Sequence, residues 1–158
     1  MNTWCWVDEV AARPQAGAVT SHVGLLCLSE VHDDILMWAH YADCHRGVCL
    51  IFDPAEPFFA TAQPVHYREE RPHVNPLVHS KDQMLDAAMF TKSDHWSYER
   101  EWRVLQYQKG AGAYTVPAGA LMQVVLGAEI NREDRAKIRR WVSEAPTKIS
   151  IASGSLSY

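Results

Sequence analysis

The sequence predicts a single α+β domain over residues 1–158: a mixed β-sheet, about three helices and a C-terminal βαβ unit. Three observations carry this expectation. Short apolar runs bounded by turn residues recur at 23–28, 48–52 and 121–126, as in strands buried on both faces. Stretches of helical pattern fall at 35–42, 80–92 and 132–144, the first and last preceded by a capping residue. With 158 residues, 47% of them hydrophobic, the chain can bury one core without disulfides or metal.

Residues 1–22 read as a poorly defined lead-in. Trp4, Trp6 and Val10 fit one apolar stripe of a short helix, which Arg13-Pro14 and then Gly17 break. The strand at 23–28 follows, with Ser29 and Glu30 at its carboxyl end. Asp33 or Asp34 caps the next helix, because a carboxylate there accepts from free backbone N–H groups at the positive dipole end. That helix, 35–42, is apolar on nearly every side and is expected to be covered all round. Gly47 supplies a left-handed stop before the strand 48–52.

A loop at 55–63 leads to a short edge strand at 65–67, and the polar, proline-broken stretch 68–76 reads as a flap. The helix 80–92 carries its apolar face on Met84, Leu85, Ala88 and Met89. A strand at 102–107 precedes a turn at 110–112. The strand 121–126, the cap Asn131, the helix to about Glu144 and the strand 148–152 then form a crossover joining parallel strands.

The formal net charge of −4 argues against a nucleic-acid or membrane-surface binder, and no apolar run approaches the roughly 20 residues of a membrane span. Four cysteines without a secretory leader read as reduced thiols of a cytoplasmic protein. Six tryptophans suit a ligand wall or a subunit contact, and so a homodimer. His40, Cys44, His45 and Cys49 lack the second ligand pair of a zinc site, so no metal is expected. The basic helix around Arg132 and Arg140 interleaves acids and reads as a solvated face.

The strongest chemical candidate is the stretch 96–103. If it is extended, Glu99, Glu101 and Arg103 share one face, while Tyr98, Trp102 and Val104 turn into the core. Arg103 would then hold Glu101 ionised, and Glu99 would sit higher by like-charge repulsion. If it is helical, Glu99 and Arg103 make a surface pair instead. His40 lies in an apolar helix and is expected to be buried. It either bonds locally or joins Tyr41, Ser29 and Glu30 around a polar pocket at a strand end.

Four pieces occur in order: Cys27-Leu-Ser-Glu30, Met37-Trp-Ala-His-Tyr41 with Gly47-Val48, Val65-His-Tyr67, and Lys92 followed by Trp96, Glu99, Glu101 and Arg103. Together they resemble a bacterial family, domain of unknown function 2971. Val124-Val-Leu-Gly127 before a helix also fits. The resemblance implies a cytoplasmic bacterial protein encoded near mobile or phage-defence genes, without a settled activity. It also implies a short member, because the longer N-terminal portion usual in the family is missing.

Glu99 and Glu101 are also similar to the paired glutamates of ADP-ribosyltransferases. That likeness implies NAD as cofactor, with Glu101 on the ribose, Glu99 assisting the nucleophile, and Ser29 and Tyr41 lining the cleft. An anionic support suits a cation-like ribosyl transition state. The expected function is therefore a ligand- or partner-binding accessory protein. The alternatives are ADP-ribosyl transfer or NAD hydrolysis, and a structural homodimer.

Overall fold

A computed structural model describes residues 4–8, 24–106 and 114–154. The fold is α+β, built on a seven-stranded mixed sheet. Its strands are β1 (Trp4–Asp8), β2 (Gly24–Ser29), β3 (Val48–Phe52), β4 (Gln63–Pro64), β7 (Glu101–Gln106), β8 (Leu121–Leu126) and β9 (Ser150–Ser153), in the order β4-β7-β2-β1-β3-β8-β9. All neighbours are antiparallel except β8 and β9, which are parallel. A separate parallel pair joins β5 (His66–Arg68) to β6 (Thr91–Ser93). The helices are α1 (Ile35–Tyr41), α2 (Lys81–Phe90) and α3 (Arg132–Ser143).

The alternation of strand side chains divides the core between the two faces of the sheet. On one face Cys49, Ile51 and Val125 pack under Met37, Trp38 and Ala42 of α1 and its C-cap. On the other, Leu28, Phe52 and Val104 meet Phe59 and Ala120. Val124 and Leu126 meet Ile130, with Ile138 and Val142 of α3 beside them. β8, α3 and β9 form the βαβ unit that the sequence predicts, and Asn131 caps α3 by accepting from Asp134 N–H at 2.8 Å. Asp34, rather than Asp33, caps α1, accepting from Leu36 and Met37 N–H at 2.8 and 3.1 Å.

Three expectations are corrected. Trp4–Asp8 is a strand in the middle of the sheet, not part of a helix: Cys5 lies opposite Ser29 of β2 and Ile51 of β3. A five-residue aromatic and β-branched run between two apolar partners satisfies its backbone better in a ladder than in one helical turn. Val10, Arg13-Pro14, Gly17 and the turn at 110–112 lie outside the described residues. Helix α1 is not covered all round, since Ile35 and Leu36 are nearly half exposed; a seven-residue helix crossing one sheet face buries only one side.

The third concerns the stop after α1. Asp43, Cys44 and His45, not Gly47, take the left-handed conformation, with φ of 47°, 51° and 66°. Gly47 makes a close approach instead, since a Cβ there would sit 3.1 Å from the Ala42 backbone, tighter than most such contacts. The left-handed run is fastened to the β8–α3 loop. His45 carbonyl accepts from Glu129 N–H at 3.0 Å, and Gly47 carbonyl accepts from Gly127 N–H at 3.0 Å.

Candidate functional site

The site begins with the register between β2 and β7. Ser29 lies opposite Glu101 and Cys27 opposite Arg103, so these four side chains share the α1 face of the sheet. Leu28 and Val104 point the other way, into the core. This is the alternation read from the sequence for Glu101 to Val104.

Glu99 arrives differently. Residues Asp94–Glu99 form a 3-10 helix, and Arg100 turns left-handed at φ 45° before β7 begins. The motif is thus neither one continuous strand nor an α-helix. The turn nevertheless returns the Glu99 carboxylate to the cleft, where it is 2% exposed and Glu101 is 6% exposed.

Lys92, at the centre of β6, joins the two carboxylates. Its ammonium contacts Glu99 Oε2 directly and Glu101 Oε2 at 3.2 Å. Arg103 donates to Glu101 from Nε at 2.6 Å and from a terminal nitrogen at 3.0 Å, a bidentate pair. Its other terminal nitrogen donates to the Met89 carbonyl at the end of α2. Tyr41 hydroxyl donates to Glu99 Oε1 at 2.7 Å, tying α1 to the cluster. Ser29 hydroxyl donates to the Glu99 carbonyl at 2.6 Å, and Tyr67 hydroxyl accepts from Glu101 N–H at 2.8 Å. Two carboxylates, an ammonium and a guanidinium make a formally neutral tetrad.

Its electrostatics follow from burial and partners. Burial raises the Glu101 carboxyl, but the Arg103 hydrogen bond and charge outweigh that and hold it below its ordinary value. Burial opposes the charge on Arg103 too, and Glu101 overcomes it, so the guanidinium is held more firmly protonated. Burial, then the Glu101 carboxylate, push the Cys27 thiol up to about 12. Burial also pushes Tyr67 up to about 12.

The tetrad floors a cleft of ≈ 220 Å³, completed by Ser29 and Tyr41 with Leu25 and Met37. Of the residues singled out in the sequence, Ser29, Tyr41, Glu99, Glu101 and Arg103 therefore meet in one cleft. Glu30 and His40 do not line it. Glu30 accepts instead from Trp102 indole N–H at 2.9 Å. His40 is exposed rather than buried, tilted against Trp96 with ring centroids 5.9 Å apart. It follows Met37 and Trp38 around a short helix whose buried face those two fill. Lys92, Cys27 and Tyr67 are the members that spacing alone missed. They stood only in the family-like segments, and pairing of β5 with β6 is what brings Lys92 in. Among the described residues, no group of three or more His, Cys, Asp or Glu could hold a metal ion, and no helix is long and apolar enough to cross a membrane.

The class this geometry defines is an α+β protein with a charged tetrad at the floor of an open cleft. A family described as Protein of unknown function (DUF2971) matches residues 37–104, and the chain is similar to it over that segment. The matched segment carries Tyr41, Tyr67 and all four members of the tetrad. No curated protein and no solved structure matches the chain.

Proposed function

We propose that the chain is a ligand-binding accessory protein whose cleft takes a ring-sized, hydroxyl-bearing group on Glu99 and Glu101. The observation that carries this reading is the single Lys92 ammonium joining two buried carboxylates at the floor of an open cleft. Removing four charged groups from water costs several kcal/mol per ion, and an apolar cluster would fold the chain as well. A carboxylate offers about four lone-pair sites, of which Glu99 uses two in the bonds above and Glu101 four once the Cys27 thiol is counted, leaving capacity for ligand hydroxyls on Glu99. At ≈ 220 Å³ the cleft is smaller than the ~300–1,000 Å³ of drug-sized sites, and so suits one ring of a ligand.

The shifted groups favour recognition over proton transfer. Glu101 is held ionised, and Cys27 and Tyr67 are held protonated, so none of the three is poised to exchange a proton near neutral pH. Ribosyl transfer from NAD, or NAD hydrolysis, is the second reading. Convergence of Glu99, Glu101 and Tyr41 in one cleft favours it, because bond cleavage at a ribosyl carbon needs anionic support before it needs a base. The family resemblance adds a cytoplasmic, bacterial setting linked to mobile or defence genes, with the whole chain as one domain.

Thermal-shift titration with NAD and a nucleotide panel, wild type beside Glu101→Gln, tests both readings. Each variant is referred to its own unliganded melting point. A ligand at a hundred times its Kd is expected to stabilise the wild type by about 2.7 kcal/mol, with the gain lost in Glu101→Gln. Nicotinamide release, also lost in Glu101→Gln, would select the enzymatic reading. A gain of equal size in both proteins would exclude the cleft.

A further inference from the structure

A second depression adjoins the cleft and shares Lys92 with it. This groove, ≈ 460 Å³, runs between 68–74 on one side and Ala87, Ala88 of α2 on the other, with Trp96 as a wall. Its volume falls in the range of small-molecule sites. Arg68 and Arg71 line it, and among the described residues neither guanidinium makes an ion pair or side-chain hydrogen bond, although Glu69 and Glu70 stand beside them. Trp96 is 37% exposed and offers a planar apolar surface, with the Lys92 ammonium 5.0 Å from its ring centroid.

We propose that this groove binds a nucleoside phosphate, the phosphate on Arg68 and Arg71 and the base against Trp96. A guanidinium matches two phosphate oxygens with two N–H donors, which a lone lysine does not. Glu69 and Glu70 accept from the ribose hydroxyls and disfavour a bare polyanion. Because Lys92 stands at the junction, a ligand seated here extends its next group into the cleft over Glu99 and Glu101. The inference thus rests on the cleft reading only for that extension, not for the groove.

Calorimetric titration of the full chain with ADP, adenosine, pyrophosphate and ADP-ribose tests it. ADP is expected to bind, with affinity falling about tenfold or more in Arg68→Ala/Arg71→Ala and again for adenosine, which lacks the phosphates. Trp96→Ala is expected to weaken ADP and leave pyrophosphate unchanged. Both arginines are exposed, so an unaltered melting point identifies a folded double variant. Absence of ADP binding at millimolar concentration, or ADP affinity indifferent to the two arginines, overturns the groove. Pyrophosphate binding as tightly as ADP overturns the nucleoside assignment. ADP-ribose is the separate arm for the cleft: if it binds no tighter than ADP, and Glu101→Gln changes nothing, the cleft reading fails and the groove stands.

Discussion

Lys92 is the residue on which the tetrad depends. Without its ammonium, Glu99 and Glu101 would share one cleft with only Arg103 to neutralise them. Lys92→Met is expected to cost about 3–5 kcal/mol in urea denaturation, the range for breaking a buried pair. Lys137→Met, which removes an exposed ammonium 2.9 Å from Glu133, is expected to change little. Adding Glu99→Gln to Lys92→Met leaves the bidentate Glu101–Arg103 pair balanced. The double variant should therefore be more stable than the sum of the singles by about 0.5–3 kcal/mol. Strict additivity would mean that the four groups do not act as a network. Cys27 supplies a pH test at the same scale. Its ordinary value is 9.0 and the folded one about 12, so the native state holds this proton more tightly than the unfolded chain. Its contribution is present below pH 9 and is lost as pH rises from 9 towards 12. At pH 8, site-resolved mass spectrometry is expected to find Cys44, which is exposed, alkylated and Cys27 spared. Equal labelling would contradict the assignment.

At the scale of elements, what was legible in the sequence was local chemistry. The Asn131 cap, the acids of the first turn and the following strand are contained within a few dozen residues, and so the βαβ unit was readable. The alternation of Glu101, Trp102, Arg103 and Val104 was readable for the same reason. Lys92 was not, because its place in the cleft comes from a parallel pairing with Tyr67, distant in sequence and only three residues long. His40 misled because seven helical residues complete barely two turns, too few for polarity to show which side faces out. The join between the α1 turn and the β8–α3 loop was equally invisible, and it yields a sharp contrast. A Cβ on Gly127 would lie 2.0 Å from the His45 carbonyl oxygen, backbone against backbone, whereas one on Gly119 meets nothing within 4 Å. Gly127→Ala is expected to destabilise by roughly 3 kcal/mol or more, as the strained Asp43–His45 run cannot yield without losing its bonds. Gly119→Ala is expected to be neutral or stabilising by up to about 1 kcal/mol. Similar melting points for the two would show that the loop shifts freely.

For the whole molecule, the decisive placement is β1. The order β4-β7-β2-β1-β3-β8-β9 puts Trp4–Asp8 between a half carrying Glu101, Arg103, Ser29 and Cys27 and a half carrying the βαβ unit. Its two neighbours, β2 and β3, are antiparallel to it and do not pair with each other. Helix α1 bridges the halves from one face, since Tyr41 reaches Glu99 while Met37 and Trp38 pack with Cys49, Ile51 and Val125. One short helix cannot replace a strand's worth of ladder bonds. Deleting residues 1–8 would leave β2 and β3 as two facing edges with open N–H and C=O groups, a template for pairing between chains. The truncated chain is expected to lose its cooperative thermal transition by circular dichroism and to self-associate in size-exclusion chromatography, while Tyr41→Phe, which removes the hydroxyl that ties α1 to Glu99, keeps a single transition at a lower midpoint. A monomeric truncation with an unchanged transition would show that the two halves close upon each other without β1, and the tetrad would then owe its geometry to α1 and the β2–β7 register alone.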